Sequence, residues 1–208
     1  MINLEDYDSI IFDFGGVIIN INYHLSVLAF EKLGFQKFDN WYAQACQDKL
    51  FDNLETGQIS ENEFYDEVRN ISKLQLTNEQ IKNAWNALLL DLPIQRIELL
   101  KQLSKSHKIY LLSNTNQIHA NDFAEKIDGN YGWENFKSIF NNTYLSHEIK
   151  MRKPNADAFE FVLNQNNLVC SKTLFIDDSI QHIEGAKKVG INAYYLNPNE
   201  KNSILDLF

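Results

Sequence analysis

The stretch that decides the fold is SIIFDFGG, residues 9–16. The apolar run from Ser9 to Phe14 has the length and continuous hydrophobicity of a strand that is buried on both faces of a parallel sheet. Gly15-Gly16 closes the run and is typical of a tight turn. We therefore predict a central buried strand with the carboxylate of Asp13 at its carboxyl end.

Further along the chain, short apolar runs alternate with segments of helical periodicity. The predicted strands cover 108–113, 138–144 (the weakest), 173–177 and 191–196. The predicted helices between them cover 93–106, 116–127, 154–166 and 180–189, with Pro154 at the first helical position. This alternation indicates parallel βαβ units and an α/β fold with a Rossmann-like core.

Between the first two strands lies a block of purely helical pattern. We predict helices at 23–33, 39–53, 60–72 and 77–90, with Gly34 and Gly57 as breaks. Ser60 with Glu63 and Thr77 with Gln80 have the spacing of capping boxes. The block is therefore expected to be a helical insertion after the first strand. The predicted organisation is a core of residues 1–19 and 93–208 with an inserted domain of residues 20–92.

The composition of the 208-residue chain indicates a globular protein with its own core. Hydrophobic residues make up 44% and aromatic residues 12%, which excludes a disordered or collagen-like chain. A net charge of −9 disfavours nucleic acid and membrane surfaces as partners. No apolar run approaches 18 residues, and the first residues lack the features of a signal peptide. We expect a cytoplasmic protein, either a monomer or a homodimer, with Cys46 and Cys170 as ordinary buried thiols.

Polar residues stand at the carboxyl ends of the predicted strands, where ligands bind in such sheets. Taken alone, Asp13 also fits a turn, and Ser113, which begins the segment Ser113–Asn116, fits a helix cap as well as an anion site. Lys153 alone fits a surface lysine. The adjacent carboxylates Asp177-Asp178 fit a Mg²⁺ site, but one of them could instead be the N-cap of the helix that follows.

In their order along the chain, these residues resemble the motifs of the haloacid dehalogenase (HAD) superfamily. The matching segments are FDFGGV at 12–17, LSNTN at 112–116, MRKP at 151–154 and FIDDS at 175–179. Flanking residues in 144–154 and 183–190 are similar to the branch with bacterial α-D-glucose-1-phosphate phosphatase and the phosphatase domain of soluble epoxide hydrolases. The resemblance implies that residues 20–92 form a C1-type cap domain.

The resemblance also implies a role for each matched residue. Asp13 would be the nucleophile that forms an aspartyl-phosphate. Ser113, with the backbone of Asn114, would bind the phosphoryl group. Lys153 would neutralise negative charge on that group and on Asp13. Magnesium would be held by four residues. These are Asp13, the backbone carbonyl of Gly15, Asp177 and Asp178. Arg152 and Asn116 are further candidates for phosphate or substrate contact.

The chain departs from the family pattern at Gly15, where the usual motif has an Asp that acts as general acid and base. The loss of a general acid typically lowers a rate by about 10²–10⁴. A good leaving group, such as the C1 oxygen of a hexose 1-phosphate, would explain how an active enzyme can have glycine at this position. Water or another polar side chain could supply the proton, or the protein could be a weak or non-catalytic phosphometabolite-binding relative.

The expected function is a Mg²⁺-dependent phosphatase for a small phosphorylated metabolite, with a sugar phosphate such as a hexose 1-phosphate as the expected substrate. A 2-haloacid dehalogenase is an alternative that the acidic pair disfavours, and a phosphomutase is a weaker one. Aromatic residues of the insertion either line a substrate pocket or pack within the cap. They are Trp41, Tyr42, Phe51, Phe64 and Trp85. Asn20 and Asn22 could reach a substrate hydroxyl, whereas His24 and His119 fit surface or packing positions.

Overall fold

A five-stranded parallel sheet forms the centre of the computed structural model, with the first strand in the middle. The structure describes residues 2–36, 38, 42, 49–197, 200 and 203–208. The strand order is β3-β2-β1-β4-β5. The strands are β1 Ser9–Phe12, β2 Lys108–Ser113, β3 Asn142–Leu145, β4 Thr173–Asp177 and β5 Asn192–Tyr195. The predicted α/β fold class is confirmed.

The apolar run of β1 is explained by the two hydrophobic layers on either face of the sheet. Ile10 and Phe12 pack into one layer, and Ile11 packs into the other. All three side chains are fully buried. Because successive side chains of a strand point to opposite faces, a strand between two layers must be apolar at every position.

The insertion folds into helices that share a third hydrophobic cluster. The helices are α1 Tyr23–Lys32, α2 Leu50–Glu55, α3 Glu61–Ser72 and α4 Asn78–Asn86. Both predicted capping boxes are present, at the starts of α3 and α4. In this cluster the rings of Phe51 and Trp85 both contact Phe64, and Phe30 stacks on Phe38. We call this helical unit the cap.

Two antiparallel segments connect the cap to the core. Ile21 and Leu89 form an isolated bridge, and Asn20 exchanges backbone hydrogen bonds with Leu90 and Asp91. This pairing ends the predicted helix 77–90 at Asn86, because the residues after it extend to meet the other connection. We propose that the domain boundary lies here, as the division at 20–92 predicts.

The remaining helices flank the sheet. They are α5 Ile94–Leu103, α6 Gln117–Asp128, α7 Trp133–Lys137, α8 Ser146–Ile149, α9 Ala156–Asn166 and α10 Ile180–Lys188, with short 3₁₀ turns at Leu4–Asp6, Cys170–Lys172 and Ile204–Asp206. Within the described part of the chain, none of these helices has the length and apolar character needed to cross a membrane.

Several predicted features differ in detail or lie outside the described residues. Pro154 follows a cis peptide bond and precedes the helix, which begins at Ala156, because a turn closed by Asn155 N–H and the Arg152 carbonyl intervenes. The weak strand predicted at 138–144 is β3, shifted towards 145. Most of the predicted helix 39–53, together with Trp41 and Cys46, lies outside the described residues. Cys170 carries a free, half-buried thiol.

Candidate active site

The carboxyl ends of β1 and β4 bring three carboxylates together. Asp13 continues the sheet by one residue, since its N–H donates to the carbonyl of Ile176 at 2.9 Å. Asp177 ends β4, and Asp178 follows it. Oxygen atoms of Asp13, Asp177 and Asp178 all lie within 4.8 Å of one another. Neighbouring parallel strands end at the same edge of the sheet, which is why residues 164 positions apart meet here.

The ammonium group of Lys153 lies between two of these carboxylates. Its Nζ is 2.5 Å from Oδ1 of Asp13 and 2.7 Å from Oδ2 of Asp177, and its side chain is fully buried. Burial by itself would lower the pKa of Lys153, but the two carboxylates outweigh burial and raise it. Lys153 is therefore a fixed positive charge beside Asp13.

Asn114 positions Lys153 from the end of β2. Its amide nitrogen donates to the carbonyl of Lys153 at 2.8 Å, and its amide oxygen accepts from the Lys153 N–H at 2.9 Å. This pair of hydrogen bonds fixes the backbone of Lys153 relative to the sheet. The side chain of Asn114 thus orients the lysine, while Asn114 also lines the cavity described below.

Asp177 is held by more partners than the sequence suggests. The N–H of Ser179 donates to its Oδ1 at 2.7 Å, and His182 Nδ1 lies 3.0 Å from its Oδ2. Burial alone would raise the pKa of Asp177, but Lys153 and His182 lower it overall. The sequence analysis missed His182, although its position in the first turn of α10 places it within reach of the end of β4.

The three carboxylates fit a divalent cation. Burial, with the charges of Asp13 and Asp177, raises the pKa of Asp178 to about 7, because the single ammonium group of Lys153 does not offset them. Burial likewise raises the pKa of Asp13, against the effect of Lys153. Gly16 makes room for the cluster, because a Cβ there would lie 2.1 Å from Oδ2 of Asp178. Carboxylate oxygens are the ligands that Mg²⁺ prefers.

The loop after β2 forms the other side of the site. Ser113 is buried at the strand end, and Asn116 caps α6 by accepting the N–H of His119 at 3.0 Å. Ser146 fixes the loop, since its hydroxyl accepts from the Thr115 N–H and donates to the Thr115 carbonyl. Ser146 had no signal in the sequence, because its contact depends on how α8 follows β3.

A cavity of about 90 Å³ lies between this loop and the cap. The loop residues 113–116 and Gly15 line the core side. On the cap side, the predicted aromatic residues that line it are Tyr42, Phe51 and Trp85. Phe64 instead packs beneath Trp85, with a centroid distance of 4.9 Å.

His119 belongs to the same cavity as a packed, neutral side chain. Its ring stacks on Trp85 at a centroid distance of 5.1 Å, and its Nδ1 lies 2.7 Å from Oδ1 of Asn86. Burial lowers the pKa of His119 to about 3. The side chains of Asn20 and Asn22 have structural partners outside the cavity. Asn20 donates to the Asp91 carboxylate, and Asn22 caps α1.

Arg152 points to the cap. Its guanidinium forms ion pairs with Asp52 and with Glu55, with 2.8 Å between Nε and Oε2 of Glu55. Both carboxylates belong to α2. The phosphate contact predicted for Arg152 stays a prediction that no contact among the described residues supports, because the guanidinium is engaged by these two acids.

Comparison with protein-family models agrees with this arrangement. The model of haloacid dehalogenase-like hydrolases matches residues 7–190, which is most of the chain. The chain belongs to this family. The HAD motifs at the ends of β1, β2 and β4 are therefore the ones that the structure brings to a single edge of the sheet.

This HAD protein is similar to a phosphatase and to solved HAD structures. D-ribitol-5-phosphate phosphatase of Bacteroides thetaiotaomicron is 31% identical over 186 residues, which is 89% of this chain and 90% of the relative. A HAD family enzyme of the same organism, solved in complex with magnesium and inorganic phosphate, superposes with a TM-score of 0.86 at 32% identity, over 97% of this chain and 99% of that one. A HAD-like hydrolase of Porphyromonas gingivalis superposes with a TM-score of 0.84 at 28% identity, over 97% and 96%.

The predicted superfamily, the Rossmann-like HAD fold and the enzyme class, a hydrolase of phosphoric monoesters, are confirmed. The roles of the individual site residues stay predictions. They include the nucleophile Asp13, the phosphate ligands Ser113 and Asn114, and the backbone carbonyl of Gly15 as a metal ligand.

Proposed function

We propose that this HAD protein is a Mg²⁺-dependent phosphatase that hydrolyses a small polyol or sugar phosphate through an aspartyl-phosphate. The observation that carries the proposal is the placement of Lys153 between Asp13 and Asp177, beside the third carboxylate of Asp178. Gly15 and Asn114, which are close to these residues in the chain or contact them, line the small cavity. A cluster of this kind suits the attack of one anion on another, because positive charge must offset their repulsion.

Each residue then has a role in the first half-reaction. A carboxylate oxygen of Asp13 forms a bond to phosphorus as the bond from phosphorus to the leaving oxygen breaks. Ser113 and the backbone N–H of Asn114 bind the phosphoryl oxygens, and Lys153 offsets their charge and orients Asp13. In the second half-reaction water attacks the phosphorus, which releases inorganic phosphate and restores Asp13.

Asp13, Asp177 and Asp178, with the carbonyl of Gly15, would hold Mg²⁺. When bound, Mg²⁺ supplies positive charge that favours the ionised form of Asp13 and stabilises charge on the transferring group. Magnesium complexes of similar HAD enzymes support this assignment.

For the substrate, we favour a neutral polyhydroxylated leaving group such as the ribitol of D-ribitol 5-phosphate. The name of the B. thetaiotaomicron relative supports this class, and the cavity of about 90 Å³ suits a small group. A hexose 1-phosphate is the second candidate, because the missing acid at Gly15 favours a leaving oxygen that departs easily. The cytoplasmic location and a monomeric or dimeric state stay predictions.

The test is phosphate release from a panel of metabolite phosphates, with Mg²⁺ and with EDTA. The panel includes D-ribitol 5-phosphate, glucose 1-phosphate and 2-phosphoglycolate, and the control protein is Asp13→Asn. We expect release that requires Mg²⁺ and is lost in the variant. Full activity of Asp13→Asn would contradict the nucleophile, and release of halide from 2-chloropropionate without metal would favour a dehalogenase. No release from any ester would favour a non-catalytic binding protein.

A further inference from the structure

Gly15 has no side chain of its own, and an aliphatic residue from the connection to the cap packs against it. A Cβ at Gly15 would lie 3.3 Å from Cδ1 and 3.6 Å from Cγ2 of Ile21. The space next to Gly15 is therefore occupied by an aliphatic side chain from the connection to the cap. Gly15 itself offers no proton donor, so the other residues that line the cavity are the side-chain candidates for protonating the leaving oxygen.

The cavity offers few proton donors among the described residues that line it. The titratable ones are Tyr23, Tyr42, Glu55 and His119. His119 is neutral near pH 7, because burial lowers its pKa to about 3. Phenols have ordinary pKa values of about 10 and are weak acids near neutrality. The carboxyl group of Glu55 is the remaining candidate.

Glu55 is placed to reach a leaving group. It is the last residue of α2 and lines the cavity together with Gly15, Ser113 and Asn114. Its side chain is about three-quarters buried, with 24% exposed, and Arg152 holds Oε2 at 2.8 Å. Glu55 thus approaches the phosphate site from the cap, while the nucleophile approaches from the core.

The surroundings of Glu55 allow both protonation states. Burial raises the pKa of Glu55 above its usual value, and nearby Asp52 acts in the same direction. Arg152 and, more weakly, Lys153 oppose this effect. Tyr23 also faces the carboxyl group from α1. Arg152 would stabilise the carboxylate that remains after a proton has been given up.

We propose that Glu55 is the general acid and base of the reaction, in the place that Gly15 leaves vacant; the inference rests on the phosphatase function proposed above. In the first half-reaction the protonated carboxyl gives its proton to the leaving oxygen as the bond to phosphorus breaks, and the alcohol departs. In the second, the Glu55 carboxylate takes a proton from the attacking water. Each turnover returns Glu55 to its protonated state.

The experiment compares two esters in three proteins. D-Ribitol 5-phosphate has a poor alkoxide leaving group, whereas p-nitrophenyl phosphate releases a phenolate whose conjugate acid has a pKa of about 7 and needs little protonation. The proteins are the wild type, Glu55→Gln and the matched control Asp52→Asn. Asp52 lies on the same helix and pairs with the same Arg152, but it is not among the residues that line the cavity.

We expect Glu55→Gln to lower kcat for D-ribitol 5-phosphate by about 10²–10³ and to change kcat for p-nitrophenyl phosphate by less than about tenfold. With D-ribitol 5-phosphate as substrate, the fall in kcat at high pH that the wild type shows should be absent from Glu55→Gln. Asp52→Asn leaves the Glu55 carboxyl in place, so any change in its activity ratio should be much smaller than that in Glu55→Gln. An independent measurement, ¹³C NMR titration of the Glu55 carboxyl, should give a pKa above 4.5.

Three results would overturn the assignment: equal losses for both esters in Glu55→Gln, the same ester-dependent loss in Asp52→Asn, or a Glu55 carboxyl that titrates at or below 4.5. The first would indicate a general structural effect, and the second would indicate that the ion pairs between cap and core matter, not the acid. Failure of the proposed function looks different, because the wild type would then release phosphate from neither ester.

Discussion

Replacing Asp178 by Asn should make the metal-free protein more stable at pH 8 and remove its response to Mg²⁺. Asp178 shares a small volume with Asp13 and Asp177, and Lys153 supplies one positive charge for three carboxylates. Without a metal ion, ionised Asp178 therefore opposes folding. Asparagine keeps the size of the side chain and removes the charge.

The size of the effect follows from the pKa of Asp178, about 7 in the folded protein against 3.8 as the usual value. At about 1.36 kcal/mol per tenfold change in proton affinity, the upper bound at pH 8 is about 4 kcal/mol. Asp178 is partly exposed, and solvent screens its repulsion, so we expect about 1–2 kcal/mol. For a chain of this length that corresponds to a rise in Tm of about 3–6 °C.

The difference should depend on pH in a defined direction. A carboxyl whose pKa is raised by folding favours the folded state most below its unfolded value of 3.8, and this contribution is lost as the pH rises through about 7. The wild type should therefore lose stability relative to Asp178→Asn between pH 4 and pH 8. At the acidic end of this range, the advantage of the variant should fade.

The measurement is urea unfolding at several pH values, in EDTA and in Mg²⁺, with Asp8→Asn as the control for the loss of an exposed carboxylate. Mg²⁺ at about 100 times its Kd should stabilise the wild type and the control by about 2.7 kcal/mol. The same Mg²⁺ concentration should stabilise Asp178→Asn only slightly. A variant that is less stable than the wild type in EDTA at pH 8 would refute the reasoning, as would an undiminished response to Mg²⁺.

Two further predictions concern the same cluster. Lys153→Met should lower the free energy of unfolding by about 3–5 kcal/mol in EDTA, because it leaves two buried carboxylates without their cation. Lys187 is exposed, so Lys187→Met should change the free energy of unfolding by less than about 0.5 kcal/mol. Equal effects of the two variants in urea unfolding would contradict a stabilising role for the ion pairs of Lys153. Gly16→Ala should weaken Mg²⁺ binding by about 10–100-fold in calorimetry, since its Cβ would meet Asp178 at 2.1 Å. Gly190→Ala has a similar positive φ but its nearest atom is at 3.6 Å, so it should keep the Mg²⁺ affinity of the wild type, and a loss there as well would assign the effect to backbone strain.

The sequence was sufficient for the framework of the protein. The apolar run before Asp13 is buried on both faces, so its composition alone predicted a central parallel strand. The capping boxes at Ser60 and Thr77 predicted two helix starts, because the side chains that form them are three residues apart. Such signals are local, and they survive in any tertiary context.

The motif residues were also found from the sequence, because they end strands that must share one edge of a parallel sheet. Their precise partners were not found. His182 on Asp177, Ser146 on Thr115 and the backbone clamp of Asn114 on Lys153 each depend on the path of a loop. The loop sets where the next element begins, and no periodicity in the sequence predicts that placement.

What only the tertiary structure decided is how the cap meets the core. Arg152 stands next to Lys153 in the sequence and was a candidate for phosphate contact, yet it pairs with the carboxylates of Asp52, one hundred positions away, and of Glu55. Glu55, which has no motif around it, lines the same cavity as Gly15. A sequence fixes which local elements form through short-range hydrogen bonds and burial patterns, whereas contacts between two packed units depend on their relative placement, which no local pattern encodes.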